Sequence, residues 1–120
     1  MNTTILEKRV SESILFDFDC APNLSAAETI TSAGPATADQ GGFTFGSPTV
    51  NTSIVTYPGG TTAPVGTVAQ VRITGGVIPA GSVLPDGRRG IRCTIRLPHV
   101  TSIGNTREAT VLLDLTDTPA

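Results

Sequence analysis

A chain of 120 residues with a net charge of −2 is sized for one domain with a single core. Aromatics make up 4% and Trp is absent, so that core must be built from Val, Ile, Leu and Ala with four Phe. The near-neutral balance argues for neither a nucleic-acid footprint nor an anionic membrane surface as the basis of its work, and no run of about 18 apolar residues offers a membrane span.

Gly and Pro account for 22 residues and Thr for 19. β-branched Thr suits a pleated surface, while Gly and Pro punctuate turns, so composition alone points to an all-β domain. Taken in order, residues 1–7 read as an N-terminal arm, loose or borrowed by a partner, and 8–118 as the β domain. The opening carries no basic start followed by a continuous apolar run, so a secretory leader is not expected and assembly in a cytoplasm is. In 11–20, "SESILFDFDC", Ile14, Phe16 and Phe18 alternate with Leu15, Asp17 and Asp19, which predicts a strand with one buried face. A loop containing Leu24 leads to a short strand over 28–33, closed by Gly34-Pro35. Further strands are expected at 43–45, 50–57 and 65–74, the last with Ala69, Val71 and Ile73 inward, and a turn-rich connection over 75–90.

The clearest signal is "RGIRCTIRLPHVTSIGNTREATVLLDL" (89–115). Ile91, Cys93, Ile95 and Leu97 alternate in its first half, Ala109, Val111, Leu113 and Leu115 in its second, with Gly104-Asn105 between them. Such a pattern predicts a closing hairpin with one wet and one dry face. About seven short strands separated by turn signals suggest a single antiparallel β-sandwich of immunoglobulin-like type.

Charge is unevenly distributed. Residues 1–40 carry a balance of −4, residues 71–120 a balance of +2, and nothing between Asp39 and Arg72 is charged. That neutral stretch, with the arm, reads as mobile surface that orders against a partner. Cys20 and Cys93 both fall on inward positions; a cross-sheet disulfide is conceivable, but in a reducing compartment two buried thiols are the better reading. Asp17 and Asp19 share an outward face about 7 Å apart, with no further oxygen ligands nearby, so solvated strand charges are expected and no metal. His99, the single histidine, follows Pro98 and reads as a surface or turn residue without zinc-site company. Gly75-Gly76 lacks the strand–loop–helix context of a phosphate cradle. No nucleophile motif is present, so neither enzyme activity nor a cofactor is expected.

The order of features has a further meaning. "KRVSESILFDFDCAPNLSAAETITSA" resembles the opening of a group of small tailed-bacteriophage virion proteins, through Lys8, Glu12, Leu15, Phe16, Asp17, Leu24, Glu28, Thr29, Ile30, Ser32 and Ala33. "VRITGG" (71–76), the "IRCTI" strand and "GNTREATVLLDL" are similar to that group's Gly-Gly turn and closing hairpin. The resemblance spans most of residues 8–117, without the Trp such proteins often carry near the first loop. It implies a structural protein of the virion, made in the host bacterial cytoplasm. The implied role is to join particle components at the neck, tail or fibre base, or else to decorate the capsid by bridging major capsid subunits. The implied partners are portal or neck, tail, fibre or major capsid proteins, with this chain as a homo-oligomeric ring or in repeated copies. A carbohydrate-binding or adhesion module is disfavoured by the lack of aromatics to stack on sugars, and a hydrolase by the lack of a nucleophile. The expected partner interface comprises Arg88, Arg89, Arg92 and Arg96, steering toward an acidic surface, with Thr52 and Thr56 of the neutral stretch and Ile5 and Leu6 of the arm.

Overall fold

A computed structural model describes residues 5–117. Its elements are eleven strands and one 3₁₀ turn, Ala21–Asn23. They are β1 (Ile5–Arg9), β2 (Ser13–Asp19), β3 (Ile30–Ala33), β4 (Thr37–Ala38), β5 (Thr44–Phe45), β6 (Thr49–Val50), β7 (Val55–Thr56), β8 (Thr62–Ala63), β9 (Val68–Thr74), β10 (Gly90–Thr101) and β11 (Thr106–Thr116). The chain is all-β, as composition implied.

Three sheets result. One runs β1-β11-β10-β3, with β4 also on β10; a second runs β2-β9-β5, with β6 also on β9; β7 and β8 form a separate hairpin. The inward faces of the two larger sheets share one core, in which Phe16, Phe18, Val71 and Ile73 meet Ile91, Cys93, Ile95, Leu97, Leu113 and Leu115. These are the residues that the period-2 pattern placed inside. β10 and β11 pair from Gly90↔Thr116 to Val100↔Thr106, with the reversal at 102–105.

The strand count exceeds about seven because two neighbours of long strands are interrupted and because β7 and β8 add a hairpin of their own. β3 and β4 both lie along β10, separated by the segment containing Pro35; β5 and β6 both lie along β9, separated by Gly46, Ser47 and Pro48. In each case the register sum changes by one residue across the gap, the signature of a bulge. The sheets are not wholly antiparallel either, since β1 runs parallel to β11 from Ile5↔Leu112 to Arg9↔Thr116.

That pairing changes the reading of the N-terminus. The arm expected over 1–7 enters the sheet at Ile5, and its partner is this chain's own β11; Met1, Asn2, Thr3 and Thr4 lie outside the described residues, as do 118–120. The neutral stretch is likewise built into the fold. Asn51 holds it: its Oδ1 accepts the Thr67 and Val68 N–H groups at 3.0 and 2.9 Å, and its Nδ2 donates to Ser53 and Pro64 carbonyls at 2.8 and 3.0 Å. One buried amide thus supplies the four bonds that a polar, aromatic-poor segment cannot obtain from apolar packing.

His99 also departs from expectation. It is not a surface or turn residue but 2% exposed, because the alternation of β10 continues through Leu97, His99 and Thr101. Pro98 does not end the strand. The even-numbered residues of β10 face β3 and β4, as the Gly34 N–H to Pro98 carbonyl bond (2.8 Å) indicates, so the missing donor of Pro98 falls beside the bulge.

Candidate functional site

Three groupings of polar or apolar side chains stand out, and the first consists of the motif residues themselves. Lys8 sits on an edge strand yet is 1% exposed, with its Nζ donating to the carbonyls of Gly75 (2.6 Å) and Arg9 (2.8 Å). Burial lowers its pKa, opposed by the nearby Glu12 carboxylate. Glu12 in turn accepts the Arg9 N–H at 2.7 Å, and its carbonyl accepts from Gly75 N at 3.4 Å. Gly76, at φ +128°, lets the turn press on the core; a Cβ there would stand 2.7 Å from Leu115 Cδ2. Lys8, Glu12 and the Gly-Gly turn, far apart in sequence, therefore form one knot at one end of the sheets.

At the other end Glu28 performs a similar task. It is buried, accepts the Ser25 N–H at 2.8 Å, and reaches Asn105 Nδ2 at 3.4 Å in the β10–β11 turn. Hydrogen bonding from Thr101, then from Ser25, holds its carboxyl below the usual range. Thr29 joins the same turn through Ser102, by a 2.7 Å backbone bond and a 3.1 Å bond to the hydroxyl. Both ends are closed by charged or polar residues that tie distant loops together.

This gives Lys8 a measurable weight. Lys8→Ala removes a packed stem and leaves the Gly75 carbonyl unpaired, so a loss of about 2–4 kcal/mol is expected. Urea denaturation checks it; a loss under about 0.5 kcal/mol, typical of surface positions, would place Lys8 outside the stabilising framework.

The second grouping is the arginine set. Arg88 pairs with Glu7 and with Asp86 (2.7 Å), and Arg89 with Asp117. Arg92 makes a two-point contact with Asp114 at 2.7 and 3.0 Å, and Arg96 meets Glu108 at 3.0 Å. All four charges are matched within the chain, so they project little net positive field. Nor do the eight expected interface residues converge. Arg88 and Arg89 lie in the connection before β10, and Arg92 and Arg96 on the outer face of that strand. Exposed Thr52 and Thr56 belong to the segment at the far end. Ile5 is 40% exposed on β1, whereas Leu6 packs against the core.

The third grouping is apolar and was not visible in the alternating pattern, since it belongs to turns. The molecule measures 46 × 30 × 24 Å, and β10 alone, with 12 residues, accounts for about 40 Å of strand. Near the Glu28 end, exposed Ile54, Val65 and Ile103 crown the loops, beside a groove of about 310 Å³ between Leu24, Ala27, Pro64 and Val65. Near the Lys8 end, Val77 and Val83 are equally exposed, at 66% and 68%. Apolar tips therefore occur at both ends.

Among the described residues no group of three or more His, Cys, Asp or Glu is arranged to hold a metal. Asp17 accepts from Gln70 Nε2 at 2.8 Å, and Asp19 from the Ala21 N–H at 3.0 Å. Tyr57 lies beside them, its pKa raised by burial and then by these two carboxylates. Both cysteines are buried free thiols. The chain matches no protein-family model, no curated protein and no solved structure. Its function has to be argued from this geometry.

Proposed function

We propose that this protein is a structural component of a tailed-bacteriophage virion that joins particle parts, as an adaptor at the neck, tail or fibre base. The observation that carries the reading is the elongated domain with exposed apolar tips at both ends, Ile54, Val65 and Ile103 at one and Val77 and Val83 at the other. A connector must engage two neighbours at once, and apolar side chains grouped at each end offer contact area to both. The residues behind the bacteriophage resemblance support the same reading from another side. Lys8, Glu12 and Gly75-Gly76 brace one end, and Glu28 and Thr29 the other, which suits a domain that transmits force between its ends.

The fold is read within this proposal as an immunoglobulin-like sandwich of seven strands. Counting β3 with β4 and β5 with β6, the strand orders become β1-β11-β10-β3/4 and β2-β9-β5/6. In chain order the second, fourth and fifth of these strands (β2, β5/6, β9) share one sheet and the third, sixth and seventh (β3/4, β10, β11) the other, the partition of that class, with the first strand lying parallel to the last. The β7–β8 hairpin is then an insertion before β9.

The test is incorporation into particles. Ile103→Asp and Val83→Asp, one at each end, are expected to fold as the parent does while each reduces the copies carried per virion. A copy number that follows neck or tail symmetry supports the adaptor; one copy for each major capsid subunit supports decoration of the capsid instead. Purified particles free of the protein would defeat both.

A further inference from the structure

Sheet edges display unpaired N–H and C=O groups and invite other strands, so proteins protect them with proline, bulges, or charges pointing inward. Three of the four edges of the two larger sheets carry such protection. The β3/β4 edge is broken at Pro35 and the β5/β6 edge at Pro48, each with a register shift. β1 carries Lys8, an inward-pointing and buried charge. The fourth edge, β2, has none of these: Ser13–Asp19 is seven residues without Pro, Gly, Lys or bulge, in unbroken register with β9. Its only charges, the exposed Asp17 and Asp19, are both acidic and so repel acidic strands but not basic ones.

The groups on its free side follow from the ladder. The bonds Cys20 N–H to Thr67 carbonyl (2.9 Å) and Gly75 N–H to Glu12 carbonyl (3.4 Å) continue the β2–β9 register at even-numbered residues of this segment. In an antiparallel ladder the bonded residues alternate, so the odd-numbered residues Leu15, Asp17 and Asp19 turn their N–H and C=O away from β9. No described residue bonds to them there. The side chains of the same three residues point outward, Leu15 at 45% exposure and the two aspartates without an ion pair among the described residues. The guanidinium of Arg72, across from Leu15, donates instead to Ser13 at 3.2 and 3.4 Å.

We infer that the free edge of β2 is a strand-acceptor site for an extended basic segment of another protein, which pairs with the backbone of Leu15, Asp17 and Asp19 and sets Lys or Arg side chains against the two carboxylates. Backbone bonds would supply affinity and the alternate side chains selectivity. A second copy of this chain is the poorer occupant, because β2 against β2 gathers four carboxylates on one face. The inference does not depend on a virion role.

The test is amide hydrogen exchange on the intact protein with a short synthetic peptide alternating valine and lysine, beside the same peptide with glutamate for lysine. The lysine peptide is expected to slow exchange at Leu15, Asp17 and Asp19 by about tenfold or more, with the protection falling as salt is raised. The glutamate peptide should leave it unchanged. Asp17→Pro removes a free-side N–H together with one of the two carboxylates, while β2 keeps its backbone bonds to β9, and the peptide effect should vanish. The double variant Asp17→Lys/Asp19→Lys leaves the backbone intact and should reverse the preference between peptides. Unchanged exchange with the lysine peptide, equal protection by both peptides, or protection that grows with protein concentration alone would overturn the inference, the last by making a second copy the occupant.

Discussion

Phe18→Ala is expected to destabilise the protein by about 3–5 kcal/mol, the range for emptying a buried aromatic site. Phe18 is 1% exposed, the largest apolar side chain among those fully sealed in the core, and it lies between the two sheets with Val71, Ile95 and Leu113 in the same cluster. Domains of this size are stable by only about 5–15 kcal/mol, so the variant stands near the limit of folding. Urea denaturation of Phe18→Ala beside Leu15→Ala makes the test internal to one strand. Leu15 is 45% exposed on the opposite face, and its truncation should cost a small fraction of the Phe18 value. Equal losses would mean that β2 does not present alternate faces to core and solvent.

A steep alkaline loss of stability is the second large effect. Burial, aided by neighbouring carboxylates, pushes both the Cys20 and the Cys93 thiol up to about 11, from an ordinary value of 9.0. A raised thiol pKa means that the folded state holds its protons more tightly than the unfolded chain does. The contribution is therefore fully present below pH 9 and is lost as pH climbs toward 11. At about 1.4 kcal/mol per pKa unit each thiol accounts for about 3 kcal/mol, and the pair for about 5–6. Tyr57, also raised, acts in the same sense, whereas Lys8, lowered by burial, acts in the opposite one. Unfolding free energies from pH 8 to 11 should fall far more steeply in the natural protein than in Cys20→Ala/Cys93→Ala. Parallel curves would assign the alkaline limb to other groups. The thiols should also react with a bulky reagent only at the rate of unfolding.

The comparison of prediction with structure turns on the range of the interactions involved. Alternation is a local property, and wherever a long strand had one dry face the sequence was legible: Ile14 to Phe18, Ala69 to Ile73, and both halves of the closing hairpin face as read. His99 was legible too, had the alternation been carried past Pro98. Short strands were harder, because two residues such as Thr44–Phe45 or Thr37–Ala38 hold no period; they are strands only because β9 and β10 offer them partners.

The sequence by itself determined the all-β class, the aliphatic core and which side chain of each long strand enters it, since these depend on residue type and on a two-residue repeat. Tertiary structure alone decided that Ile5–Arg9 joins β11 in parallel, that Lys8 is buried against Gly75, that Asn51 anchors the uncharged segment, and that four arginines find acids of their own chain. These pairings reach from 12 positions apart (Arg96 with Glu108) to 107 (Ile5 with Leu112), beside short-range ones such as Arg88 with Asp86 and Asn51 with Ser53, each two positions apart. Charge and hydrogen-bonding capacity can be counted along a chain, but the partner that satisfies them is chosen only when the sheets close and leave each buried polar group whatever lies within about 3 Å of it.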